Sequence, residues 1–183
     1  MKTLRIALSL VGLAALAATG CMILSGQFVV NFAMPTPFTA IGGSGAALAS
    51  VAVDLNTIGD YSNHRDDLKR VEDLALTGDF QNNGSGTASL DTWIVPTGTA
   101  NSGASLNASQ LATQGTKLWG PLTVAAGATE HVDWNRSSGL FKGRQALIDE
   151  IKGDGQFRLY LVASGTNVTV TNGAVIAVIS AAK

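Results

Sequence analysis

The chain has a single cysteine and few charged residues. With Cys21 as its only thiol, it has no means of forming an intrachain disulfide or a cysteine-ligated metal cluster. Charged residues make up 14% of the sequence, and they form no basic cluster of the kind that neutralises nucleic-acid phosphates. We therefore expect a fold held by packing alone and no nucleic-acid partner.

The chain also lacks the motifs of common enzymes. The glycine-rich residues 42–45 carry neither the Lys-Ser/Thr ending of a phosphate-binding loop nor a spaced GxGxxG pattern. Strand alternation places His131 and Asp133 on one outer face, as a base and its orienting acid, but no GxSxG motif accompanies them. We therefore expect neither enzymatic activity nor a cofactor.

Acidic and amide side chains are concentrated after residue 53. Asp54, Asn56 and Asp60 offer the oxygen ligands that calcium prefers. The spacing is not that of an EF-hand loop, because Ile58 occupies a ligand position and Arg65 stands where the bidentate acid belongs. The three residues are candidates for an irregular calcium site. The alternative is that these side chains satisfy backbone donors in turns and helix caps.

The beginning of the chain has the organisation of an export signal. Lys2 and Arg5 precede an apolar segment, and small residues then lead to Cys21. The residues Ala18-Thr19-Gly20-Cys21 resemble the lipobox of bacterial lipoproteins, although leucine is more usual at the position of Ala18. The resemblance implies that residues 1–20 are removed and that Cys21 becomes an acylated N-terminus, with palmitate among its acyl chains. More than one acyl chain gives stable membrane attachment.

Two other interpretations of this segment remain open. Cleavage after Gly20 without acylation would leave a soluble exported protein with one free thiol. Alternatively, Ile6 to Leu24 is about 20 residues long, which is enough to cross a bilayer as an uncleaved helix.

The remainder has the length of one domain, since about 160 residues follow Cys21. We expect residues 21–26 to form the lipid-anchored N-terminus and a short spacer, and residues 27–183 to form a single domain held close to the membrane. Without Lys2 and Arg5 the mature chain carries 10 basic and 13 acidic residues, a net charge of −3. In a Gram-negative cell Met22 favours the outer membrane, because the lipoproteins that this chain resembles have an aspartate there when retained at the inner membrane.

Alternating apolar residues predict a mainly β domain of eight or nine strands. The predicted fold is an antiparallel β-sandwich, immunoglobulin-like or related, and a β-barrel is the alternative. One helix is predicted at residues 138–152, before Gly153. Asn82 to Gly86 is predicted as a hairpin turn between paired strands. Asn172-Gly173 favours a second hairpin, or alternatively a bulge in one long strand.

These features favour a lipid-anchored cell-envelope protein with a non-enzymatic binding or structural role. Its contact with the membrane would be acylated Cys21, and its partner an envelope protein or a glycan. The first alternative is a carrier of a small apolar or sugar ligand, which needs a sizeable cavity. The second is a hydrolytic enzyme, which needs titratable groups converging on His64 or His131.

Overall fold

The computed structural model describes residues 25–41, 46–97, 106–164 and 167–182. Strands dominate these ranges, and they are β1 Ser25–Ala33, β2 Phe38–Ala40, β3 Ala46–Asp54, β4 Leu68–Asn82, β5 Ala88–Pro96, β6 Thr116–Val124, β7 Thr129–Val132, β8 Gln156–Ser164 and β9 Val168–Ala182. The α-helices are short, and they are α1 Gly59–His64, α2 Ala108–Gln114, α3 Trp134–Ser138 and α4 Arg144–Lys152. Single 3₁₀ turns occur at Leu55–Thr57 and Arg65–Asp67.

The strands form two separate antiparallel sheets. One has the order β1-β9-β4-β7, with β2 also paired to β9, and the other has the order β3-β8-β5-β6. The prediction of a β-sandwich is therefore confirmed. Most consecutive strands lie in different sheets, so the chain repeatedly crosses from one layer to the other. This alternation is the strand order of a jelly roll, in which two sheets are built from Greek-key connections.

The core lies between the sheets, because the strands alternate buried and more exposed residues along their length. Phe80 and Trp119 meet there from opposite sheets, with ring centroids 5.6 Å apart and the rings nearly parallel. A second cluster covers the outer face of the four-stranded sheet. It joins Leu111 of α2 and the nearby Leu106 to Val95 and Tyr160. Helix α2 therefore packs against the outer face of this sheet.

Helix α3 covers the part of the β4 edge that β7 leaves open. The buried Ser137 accepts a hydrogen bond at its hydroxyl oxygen from the backbone N–H of Leu76, over 2.7 Å. The indole N–H of Trp119 donates to the carbonyl and hydroxyl oxygens of the same serine. Ser137 therefore links the β4 edge to the core.

The predicted helix at residues 138–152 is wrong in its first part. Helix α3 begins earlier, where Asp133 caps the backbone N–H of Arg136, and α4 begins only at Arg144. Between them, the chain pairs with β6 through the Trp119–Phe141 bridge. The apolar residues at helical spacing are therefore divided between helix α4 and the segment before it that pairs with β6.

Both predicted hairpins are also wrong. Residues 82–86 join β4 and β5, which lie in different sheets. Asn172 and Gly173 lie within one continuous strand, β9, where they form a bulge opposite Gly78. Asn172 has a φ of 54° there, which asparagine tolerates better than most residues. The bulge that was the alternative interpretation is the one observed.

Candidate functional site: an uncharged turn face

One end of the sandwich consists of turns without a charged side chain. We call this surface the uncharged turn face; it comprises Ile41, residues 82–87, residues 125–128, Ser164 and Asn167. Strand register brings these turns together, since Ala88 pairs with Val124 and Asn82 pairs with Val168. No Asp, Glu, Lys, Arg or His occurs in residues 80–90, 118–129 or 159–182. The strand ends beneath the face are therefore also uncharged.

A buried asparagine holds two of these turns together. Asn82 is fully buried, and its side-chain amide donates to the carbonyl oxygens of Gly86, Val124 and Ala125 at 2.8, 3.0 and 3.2 Å. Its side-chain oxygen accepts from the backbone N–H of Gly84 at 2.9 Å. One polar side chain thus fixes the backbone of both turns, as expected of a buried polar group.

Further hydrogen bonds attach the third turn. The backbone N–H of Asn83 donates to the carbonyl oxygen of Asn167 over 3.0 Å. The side-chain amide of Asn83 donates to the hydroxyl of Thr169 over 2.9 Å. The hydroxyl oxygens of Thr169 and Thr39 are 3.2 Å apart and share a hydrogen bond. The turn face is therefore a hydrogen-bonded surface that presents amide and hydroxyl groups.

The N-terminus of the described chain lies at the opposite end of the sandwich. Strand β9 begins at Val168 beside the turn face and ends at Ala182, which pairs with Ser25. At the usual rise per residue this 15-residue strand separates the two ends by roughly 45 Å. Helix α1 and the acidic Arg65–Asp67 turn precede Leu68, which pairs with Ala181, so these charged segments share the Ser25 end. Cys21 lies outside the described residues, four positions before Ser25 in the sequence.

Two of the three calcium candidates, Asp54 and Asn56, are hydrogen-bonded to each other, and the third, Asp60, lies on helix α1. One carboxylate oxygen of Asp54 accepts hydrogen bonds from the backbone and side-chain N–H groups of Asn56, at 3.0 and 2.8 Å. The Asn56 side-chain oxygen accepts from Arg65. Asp60 is exposed in the first turn of α1. Within the described ranges no three His, Cys, Asp or Glu side chains are grouped to hold a metal. A calcium site that includes Asn56 stays a prediction.

The structure pairs His131 with a different acid from the one expected. Its Nδ1 lies 2.7 Å from a carboxylate oxygen of Asp79, on the neighbouring strand β4, and Asn172 donates to the other oxygen at 2.8 Å. Asp133 instead caps helix α3. His64 is remote from this pair, at the end of α1, where its ring contacts Phe28. The two histidines are therefore not brought into one site.

The pKa of Asp79 is lowered below its ordinary 3.8. The hydrogen bond from His131 contributes most to this decrease, and the hydrogen bond from Asn172 contributes next. We expect His131→Ala to raise this pKa, measured by carboxyl NMR titration, with His64→Ala as a control that leaves it unchanged. Because the folded-state pKa is depressed, Asp79 stabilises the fold at neutral pH, and this contribution is lost as the pH falls through that pKa. An unchanged Asp79 pKa in His131→Ala would show that the pair does not form.

Comparison with known proteins gives no relative from which to assign a function. No family model matches the sequence, and no curated protein matches it. In the part of the chain that the structure describes, none of the helices is long and apolar enough to cross a membrane. Function is therefore argued from the site and its place in the fold.

Proposed function

We propose that this protein is a lipid-anchored cell-envelope protein that binds another envelope component through its uncharged turn face, without catalysis. The supporting observation is that β9 runs from the turn face to the end at which β1 begins. An acylated Cys21 would lie only four residues from that end. The tether and the proposed binding surface would then be at opposite ends of the sandwich, so that anchoring leaves the surface accessible.

The expected partner is an uncharged polysaccharide of the envelope. A face without charged side chains offers no ion pairs to an anionic or cationic polymer, whereas fixed amides and hydroxyls suit a ligand rich in hydroxyl groups. Asn82 and Asn83 hold the turns in place before binding. Such preorganisation lowers the entropy lost when a ligand binds.

The cavity found between the sheets in the described part of the chain gives little support to a carrier function. The cavity between the sheets near Met34, Phe38, Phe80 and Leu161 has a volume of about 10 Å³. A space of this size holds about one water molecule, whereas pockets for drug-sized ligands measure roughly 300 to 1,000 Å³. We therefore place the binding surface on the outside of the sandwich.

A matched pair of alanine substitutions tests this proposal. Ala126 is exposed on the turn face and Ala112 is exposed on α2, so Ala126→Glu and Ala112→Glu add the same charge at two places. An unpaired charge is costly to desolvate. We expect Ala126→Glu to weaken binding to purified envelope polysaccharide by about tenfold, which is about 1.4 kcal/mol, and Ala112→Glu to leave it unchanged.

Binding is measured by cosedimentation of the purified full chain with insoluble polysaccharide. No binding by the unaltered protein, or equal binding by both variants, would contradict the proposed surface.

A further inference from the structure

The edge strands on one side of the sandwich are covered. Strand β7 has only four residues, and α3 continues along the β4 edge beside it. On the other sheet, residues 140–142 bond to the free side of β6, where the N–H of Gly120 donates to Leu140 and the N–H of Lys142 donates to Leu118. Natural proteins protect sheet edges in such ways because an open edge pairs with other chains.

The backbone of strand β1 is an open edge, although helix α1 contacts this strand near its Ser25 end, where the His64 ring meets Phe28. The strand has nine residues, none of them charged or proline, and its register with β9 is unbroken. The backbone N–H of Met34 donates to the carbonyl oxygen of Gly173, which continues the β1–β9 register. Backbone N–H groups point alternately to the two sides of a strand, so those of Val29 and Asn31 point away from β9. Among the described residues, no backbone hydrogen bond reaches this free side of β1.

Strand β3 is the neighbouring edge on the same side. Strand β2 pairs with β9 alongside β1, and Ile41 just after it bridges to Leu48 of β3. Beyond that bridge, residues 49–54 have no partner on their free side within the described ranges, and they carry no charge before Asp54. Two uncharged edges, one in each sheet, therefore lie side by side.

The apolar residues between these edges are incompletely covered. Phe28 and Phe32 of β1 and Ala49 and Val51 of β3 pack against the core but are only half-buried. Val29, on the outer face of β1, is 53% exposed. A protein seated on this side would remove apolar surface from water and also supply backbone partners.

We propose that this side binds a second copy of the same chain, with β1 of each copy pairing with β3 of the other. Strand β1 offers nine residues and β3 offers six beyond the Ile41–Leu48 bridge, and neither presents charge to the other, apart from Asp54 at the end of β3. They run in opposite directions, because β3 begins beside Ser164 at the turn face and β1 ends toward it. When a two-fold axis parallel to the strands relates the two copies, β1 of each copy lies antiparallel to β3 of the other. Two such pairings form, one in each layer of the sandwich.

The choice of β3 as the partner of β1 rests on the proposed lipid anchor. A two-fold axis parallel to the strands keeps both tethers at one end, where they reach the same membrane. Antiparallel pairing of β1 with β1 would put the second tether beside the turn face of the first copy. Attachment to one membrane also raises the local concentration of each copy for the other.

Cysteine cross-linking in membranes tests this arrangement, since the acylated chain has no other thiol. Gln27 and Ala52 are both exposed, and each lies two residues from the tether end of its strand. We expect a short bifunctional thiol reagent to cross-link a coexpressed mixture of Gln27→Cys and Ala52→Cys chains into a dimer. The yield should be at least about tenfold above that of either variant alone, the signature of a specific contact rather than collision.

Thr123→Cys, on the covered edge strand β6, measures collisional cross-linking. Adding Asn31→Pro to the Gln27→Cys chain should reduce the dimer to this background while thermal unfolding shows an intact fold, since the Asn31 N–H faces the free edge. Strong cross-linking of Gln27→Cys alone, or the absence of any specific dimer, would overturn the proposal. Fatty-acid labelling reports the anchor separately, so the two failures are distinguishable.

Discussion

Asn82→Ala is expected to lower the free energy of unfolding by about 3 kcal/mol, because it removes the shared partner of the Gly86, Val124 and Ala125 carbonyls. The bond to Val124 is buried, those to Gly86 and Ala125 are part-buried, and the Ala125 carbonyl keeps the backbone N–H of Ala128 as a donor. One buried group left unsatisfied costs roughly 1 to 3 kcal/mol, and each hydrogen bond lost nearer the surface costs roughly 0.5 to 1.5 kcal/mol. Urea denaturation measures the change.

The adjacent Asn83→Ala is the matched control. Asn83 is exposed, and among the described residues its side chain donates to the Thr169 hydroxyl alone. We expect a loss under about 1 kcal/mol, the usual size for one exposed hydrogen bond. Asn82→Ala should also weaken polysaccharide binding, because it removes the side chain that is hydrogen-bonded to both turns, residues 82–87 and 125–128. Equal and small losses in both variants would contradict the role assigned to Asn82.

The sandwich could be predicted from the sequence because burial on one face of a strand leaves a period of two. Strand β1 is an example, with Phe28, Val30 and Phe32 packed in the core and the residues between them exposed. This signal is local and survives whatever strand lies alongside. The fold class was therefore accessible without knowledge of strand pairing.

Pairing between strands was not accessible in the same way. Asn82 to Gly86 has the composition of a tight turn, but that chemistry is the same whether the next strand joins the same sheet or crosses to the other. The outcome depends on β8 and β9, which follow about 70 or more residues later and whose long-range pairing fixes the layers. Likewise, Phe141 departs from the predicted helix because it bridges to Trp119.

The candidate site was also only partly predictable. The amides of Asn82 and Asn83 were visible as turn residues, but Val124 lies 42 positions away in sequence from the amide that binds it. Asp79 and His131 are separated by 52 positions, and strand register alone brings them together. The one available sequence signal for the turn face was the absence of charge from three separate stretches that meet there.

Cys21→Ser is expected to abolish incorporation of radiolabelled palmitate into the protein. The proposed anchor attaches its acyl chains through this thiol, and the chain contains no other cysteine. Serine preserves the size of the side chain but removes the nucleophilic sulfur. The measurement is immunoprecipitation of the protein from labelled cells. Ser9→Ala, within the apolar segment, is the control that should incorporate palmitate normally.

Persistent labelling of Cys21→Ser would show acylation elsewhere and would remove the basis for the tether. Absence of label from the unaltered protein would favour either simple cleavage after Gly20 or an uncleaved helix. Neither result would alter the turn face, whose geometry rests on residues 82–87 and 125–128. The anchor and the binding surface are therefore tested by separate experiments.

The most direct test of an anchored envelope protein is the intact mass of the chain extracted from membranes. We predict the mass of residues 21–183 plus a diacylglyceryl group and any further acyl chain on the new N-terminus. An unmodified mass for residues 21–183 would contradict lipidation, and a mass for residues 1–183 would show that the leading segment is retained.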